Sequence, residues 1–175
     1  MKNMNAIGAL LLVVLLAGCG GGTLTPRENP FKKDVRVGDW VQYRIAHNAN
    51  GLDKVLSVKT TITEVSAESV KLQLKGTEVD KFEILDRNDY NPYRVPGAEV
   101  SVRELATGQE KIKVGSQEYD CKWYEVEVTP EGSSNAWTVK EWVSPSVPLS
   151  GRVKMTMRGP GNSFEHTVDG FGRGK

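Results

Sequence analysis

Beyond Pro30 the apolar positions of this chain recur every second residue, not every third or fourth. Val41, Tyr43 and Ile45 alternate with Gln42 and Arg44. Leu56, Val58 and Ile62 share one parity, against Lys59, Thr61 and Thr63. Val70, Leu72 and Leu74 alternate with Lys71, Gln73 and Lys75, after a break at Ser66-Ala67-Glu68 that reads as a hairpin turn. Near the end, Val153, Met155 and Met157 alternate with Lys154 and Thr156, and Phe164, His166 and Val168 with Glu165 and Thr167. Each run describes a strand with one face on a core and the other in water. Turn chemistry separates the runs at Asn48 to Gly51, Gly115-Ser116, Pro130 to Asn135 and Gly159-Pro160-Gly161. The pattern predicts a mainly β protein: one antiparallel curved sheet, half-barrel or sandwich, with little helix.

Four stretches do not follow the simple alternation. In "YDCKWYEVEV", Tyr119, Cys121 and Trp123 share one parity while Tyr124, Val126 and Val128 share the other. Either a β-bulge shifts the phase near Trp123, or both faces of the strand are covered. Between Glu78 and Arg87, Val79, Phe82 and Leu85 fit a helical stripe, whereas Phe82 with Ile84 fits a strand; the strand is preferred. Trp137 and Trp142 have opposite parity on one expected strand, Ala136 to Val143. One then faces the core and the other the second surface, unless a bulge turns both inward. "SPSVPLSG" carries Pro145 and Pro148, which fix two φ angles, and Gly151, which permits tight geometry. It reads first as a crossover between strands, second as a rigid rim met by a ligand or partner.

The amino-terminal pattern is different. Ala6 to Ala17 is an apolar run of twelve residues behind Lys2. A spanning helix needs about twenty, so the run fits the hydrophobic region of a signal peptide. It ends in Leu16-Ala17-Gly18-Cys19, which resembles the lipobox of bacterial lipoproteins. The resemblance implies cleavage before Cys19, a diacylglyceryl group on its thiol and acylation of the new amino terminus. Several acyl chains on one residue hold a protein on a membrane where a single chain binds only marginally. Gly20, rather than Asp, follows the cysteine; the resemblance then places the protein at the outer membrane, facing the periplasm. Gly20 to Pro30, "GGGTLTPRENP", reads as a tether with a root-mean-square span of about 18 Å as a flexible coil. The expected organisation is a signal peptide at 1–18, a lipidated Cys19 and tether at 19–30, and one β-rich domain at 31–175.

Removing residues 1–18 leaves 157 of the 175 residues, enough for one domain with a real core. It also removes Lys2, leaving 22 basic and 22 acidic residues. A balanced, interspersed charge lacks the basic face of a nucleic-acid binder. With Cys19 lipidated, Cys121 has no disulfide partner and is expected to pack as a small buried hydrophobe. The two histidines, His47 and His166, are not spaced as metal ligands, and no phosphate loop, nucleophile elbow, H-E-x-x-H or C-x-x-C is present. No cofactor is expected.

"VGDWVQYRI" (Val37 to Ile45), "EKIKVGSQEYDCKWYEVEV" (Glu110 to Val128) and "EWVSPSVPLSGRVKM" (Glu141 to Met155) resemble a loose set of small secreted bacterial β-rich proteins and lipoproteins, largely uncharacterised. That set is similar in outline to curved-sheet domains of the lipoprotein-carrier type, in which an incomplete barrel encloses an apolar cavity. The likeness concerns fold and transfers no catalytic residue. The functional expectation is a non-enzymatic, lipid-anchored domain that binds a lipidic ligand or an envelope partner. A structural accessory protein and a carboxylate-dependent hydrolase are the alternatives. Trp137, Trp142, Met155 and Met157 are the candidate binding residues, the aromatics because they dominate contacts and the methionines because they adapt to uncertain shapes. Leu56, Val58, Ile62, Val70, Leu72, Leu74, Val153, Met155 and Met157 would form either the concave wall of a cavity or an ordinary closed core.

Overall fold

The structure, a computed structural model, describes residues 29–32, 35–88, 91–93 and 99–174. The expected signal peptide, the lipobox with Cys19 and the tether as far as residue 28 lie outside the described residues. A 3-10 turn at Pro30–Lys32 precedes nine strands: β1 Trp40–Ala49, β2 Leu52–Val65, β3 Ser69–Gly76, β4 Asp80–Asp86, β5 Val100–Val114, β6 Gln117–Pro130, β7 Trp137–Val143, β8 Arg152–Gly159 and β9 Asn162–Gly172. They form one sheet in the order β4-β3-β2-β1-β9-β8-β7-β6-β5, antiparallel throughout. The sheet is curved and does not close, so β4 and β5 are its two edges. The expected fold class is the one observed.

The order records two meanders and one long return. β1 to β4 step outward in sequence order. The chain then passes from one edge of the sheet to the other, and β5 to β9 step back until β9 pairs with β1. The hairpins follow from turn residues. Asn50 and Gly51 both adopt positive φ, 51° and 82°, as a two-residue loop matched to strand twist requires. Ser66-Ala67-Glu68 joins β2 to β3, and Gly115-Ser116 joins β5 to β6, as the sequence predicts. The ambiguous Glu78–Arg87 segment contains β4 and is a strand.

The face bearing Tyr43, Val58 and Val168, which are register partners across β2, β1 and β9, is the core face. Of the nine candidates for a concave wall, Leu56, Val58, Ile62, Val70, Leu72, Leu74, Val153 and Met155 are buried, and Met157 is half-buried. All nine belong to, or pack against, the buried hydrophobic clusters. Phe31 from the 3-10 turn and Val147 and Leu149 from the β7–β8 connection join the same cluster.

β6 resolves the parity conflict. It pairs with β7 without interruption from Lys122 to Val128; the register shift lies on β5, between Glu104 and Ala106. Strict alternation then puts Tyr119 and Cys121 on one face and Tyr124, Val126 and Val128 on the other, and all five are buried. Both faces are covered, at different lengths of one strand. Burial pushes the Cys121 thiol up to about 11, with Glu110 and Asp120 adding to the effect. It stays a thiol at neutral pH, in keeping with a packing role.

Val153 has no exposure and belongs to the main core cluster. Val153→Phe should therefore overpack the core and cost about 1–3 kcal/mol. Urea unfolding checks this; an unchanged midpoint would mean that a void lies beside Val153.

Candidate functional site

Two places concentrate polar chemistry or concave surface. The first is buried. Glu141 on β7, Met155 on β8 and His166 on β9 are successive register partners on the core face. Arg152, at the start of β8, donates from Nε and Nη2 to Glu141 Oε2, each at 3.3 Å. Tyr93, in the return between β4 and β5, donates its hydroxyl to Glu141 Oε1 at 2.9 Å. Tyr43 donates to the Arg152 carbonyl oxygen at 3.2 Å, and its hydroxyl lies 3.2 Å from Ser150 Oγ. Glu141, Arg152 and His166 are essentially without solvent exposure. The ion pair therefore needs its added hydrogen bonds to offset desolvation. His166 has no hydrogen-bond partner at either ring nitrogen. Burial first, and the Arg152 charge second, pull its pKa down to about 3, so it is neutral in the fold. As placed, this cluster ties the return segment to the sheet. Among the described residues its carboxylate faces a cation and a phenol.

The second place is open. Between Val143 and Arg152 the chain makes a compact connection: Ser144 N–H donates to the Gly151 carbonyl at 2.8 Å, and Val147 N–H to the Ser144 carbonyl at 3.2 Å. Leu149 sits at φ 59°, which a leucine adopts at a cost of about 1–2 kcal/mol. Its side chain is buried in the main core, as is that of Val147, and this holds the connection in place. Beside it lies a cleft of about 660 Å³. Val35, Tyr124, Val143, Val147, Pro148 and Leu149 supply its apolar wall, Asn29 and Pro30 one side, and Lys122 and Arg173 its cations. Among the described residues no Asp or Glu lines it. Arg173 is held by Asp39, whose buried carboxylate also accepts from the Gly174 N–H at 2.8 Å. The "SPSVPLSG" stretch is thus both the expected crossover and the rim of a cleft.

The candidate binding residues do not come together there. Trp137, Met155 and Met157 share the core face, and Trp142 lies on the opposite one. Met155 is fully buried; Trp137 is half-buried against Phe164, with ring centroids 6.1 Å apart. Trp142 donates its indole N–H to Glu110, and Lys140 Nζ lies 5.0 Å from its ring centroid. The same ammonium lies 4.1 Å from the centre of Trp123. These outward rings are capped by their own chain. The cleft residues missed from sequence carried one usable signal: Val147 and Leu149, two apolar residues spaced i, i+2 inside a proline loop. Among the described residues, no group of three or more His, Cys, Asp or Glu is arranged to hold a metal.

The His166 environment gives a pH dependence with a definite sign. An unfolded histidine titrates near its ordinary value of 6.5, and the folded one near 3. Between these values the unfolded chain binds a proton that the folded chain refuses. Stability is therefore complete above pH 6.5 and falls on acidification by about 1.4 kcal/mol per pH unit from this group. Burial also lowers His47, in the same direction. Unfolding free energies measured from pH 7 to pH 4 should lose one proton's worth of slope in His166→Leu. Identical slopes in both proteins would show that His166 titrates normally.

No known protein family matches the chain, and no curated protein does. Among solved structures, a DUF1329 family protein from Desulfovibrio piger aligns at 12% identity and a TM-score of 0.33, over 80% of this chain and 87% of that one. A LolA superfamily protein from Nitrosomonas europaea aligns at 11% identity and a TM-score of 0.33, over 85% of this chain and 91% of the other. At such scores neither likeness adds to what the sheet itself displays.

Proposed function

We propose that the chain is a non-enzymatic envelope lipoprotein, anchored through acylated Cys19 at the outer membrane with its domain in the periplasm, whose β7–β8 cleft binds an apolar ligand. The observation that carries the binding role is the cleft. Its volume of about 660 Å³ lies within the range of small-molecule sites, and its wall is mostly apolar. Lys122 and Arg173, the latter paired with Asp39, are the cations of its described lining, and a fatty acid, apolar with one carboxylate, matches that chemistry. Anchoring rests on Leu16-Ala17-Gly18-Cys19 behind a short apolar run.

Two experiments address the two halves. Cells given a radioactive fatty acid should label the wild-type chain and not Cys19→Ser, because serine offers no thiol; label on the variant would remove the anchor. A fluorescent fatty acid should bind the chain from Gly20 to Lys175 saturably. Val143→Phe, at a half-buried position on the cleft wall, should weaken that binding at least tenfold with little change in the unfolding midpoint. Undiminished binding in the variant, or none in the wild type, would overturn the cleft as the site.

A further inference from the structure

The face of β4 that points away from the core is exposed and apolar. Phe82 is 56% exposed and Ile84 72%. Both lie on the opposite face from Val70, Leu72 and Leu74, as their register partners Gln73 and Lys71 require. β4 is an edge strand, and among the described residues no strand lies beyond it; Lys71 Nζ lies 5.4 Å from the centre of the Phe82 ring. On the other edge, β5, the exposed residues include the charged Arg103, Glu110, Lys111 and Lys113 together with Leu105, and a register shift follows Glu104. Charges and a bulge are the usual protection of an open edge, and β4 lacks them on its outer face between Asp80 and Asp86.

The place where the amino-terminal segment joins the domain says what meets this face. Asn29 Nδ2 donates to the Arg87 carbonyl oxygen at 2.6 Å, and Arg87 Nε donates to the Phe31 carbonyl oxygen at 2.7 Å. Arg87 directly follows β4. The chain leading from Cys19 therefore enters the domain at the end of β4. Nine residues lie between Cys19 and Asn29, and the ten steps that join them reach about 35 Å at full extension. Asn29 and Pro30 also line the cleft, so edge and cleft lie at the same root.

We infer that the outer face of β4, through Phe82 and Ile84, is a membrane-docking surface that lies against the bilayer carrying the Cys19 anchor. This rests on the anchoring proposed above. Two apolar side chains bind a membrane weakly alone, and a short tether supplies the effective concentration that makes the contact persist. The neighbouring charges are balanced: Lys71 pairs with Glu64 at 2.6 Å, and Lys75 lies opposite Asp80. Docking is then apolar insertion, insensitive to the anionic lipid content.

Nitroxide labels at Phe82→Cys, Ile84→Cys and, as a control on the far edge, Leu105→Cys test this; buried Cys121 is not labelled. The acylated full chain is reconstituted into vesicles of phosphatidylethanolamine and phosphatidylglycerol. In a second arm, a polyhistidine segment replaces residues 1–19 and a nickel-chelating lipid holds the chain on the same vesicles. Labels at 82 and 84 should be several-fold more accessible to dissolved oxygen, relative to a water-soluble chromium complex, than the label at 105. Replacing phosphatidylglycerol by phosphatidylcholine should leave this unchanged. Equal aqueous accessibility at all three sites in both arms overturns the docking face and leaves the anchor standing. Dry labels in the second arm, with an unacylated native chain, remove the anchor and keep the face.

Discussion

Glu141 puts a carboxylate where water does not reach, and much of the architecture answers that fact. Removing one partner from such a pair costs about 3–5 kcal/mol, since the other is left buried and uncompensated. Arg152 must therefore stand where β8 begins, which fixes the end of the β7–β8 connection. Tyr93 must reach the second oxygen, which pins the return segment over the sheet. That return is what carries the chain from edge β4 to edge β5 and lets β9 come back beside β1. The price is borne locally by His166, held neutral and unbonded next to Arg152.

A second constraint is curvature, and the tryptophans meet it with glycines. A Cβ built on Gly108 would fall 2.8 Å from the ring of Trp123, its register partner. One on Gly172 would fall 2.5 Å from the ring of Trp40, also its register partner, and one on Gly159 would fall 2.5 Å from the ring of Trp137. Each ring lies flat in the gap left by a missing side chain, a pairing that pins register in a bent sheet. Lys59, 4.2 Å from the centre of Trp40, and Lys140 over Trp123 cover the outward rings. Large aromatics on an outer face are here parts of the sheet, which is why exposure and stacking could not be inferred from parity alone.

The strands that could be read from the sequence are those with one face on the core. β1, β2, β3, β8 and β9 alternate because water lies on their other side. β5 escaped because Leu105 breaks its phase at a bulge and because an edge strand buries little on either face. β6 gave two answers because it has two buried faces, and only the pairing of its neighbours decides between them. The cleft was half legible. Its proline-rich rim stood out, but the contribution of Tyr124, Lys122 and Arg173 depends on strands and a carboxyl-terminal residue meeting in space. Glu141 sits at a core parity between Val139 and Val143. A charge there signals a buried pair, yet nothing in the linear pattern names Arg152 as the partner.

The cleft wall and the core are one structure, and this bears on how the site works. Val147 and Leu149 line the cleft while being buried in the central cluster. Leu149 keeps an unfavourable backbone angle because its side chain is packed, so the strain is held by core contacts rather than by an occupant of the cleft. Pro145 and Pro148 remove further freedom from the same segment. A wall fixed in this way is formed before anything binds. Little conformational entropy is then lost on association, and a modest apolar contact converts into affinity with less loss than it would on a mobile loop.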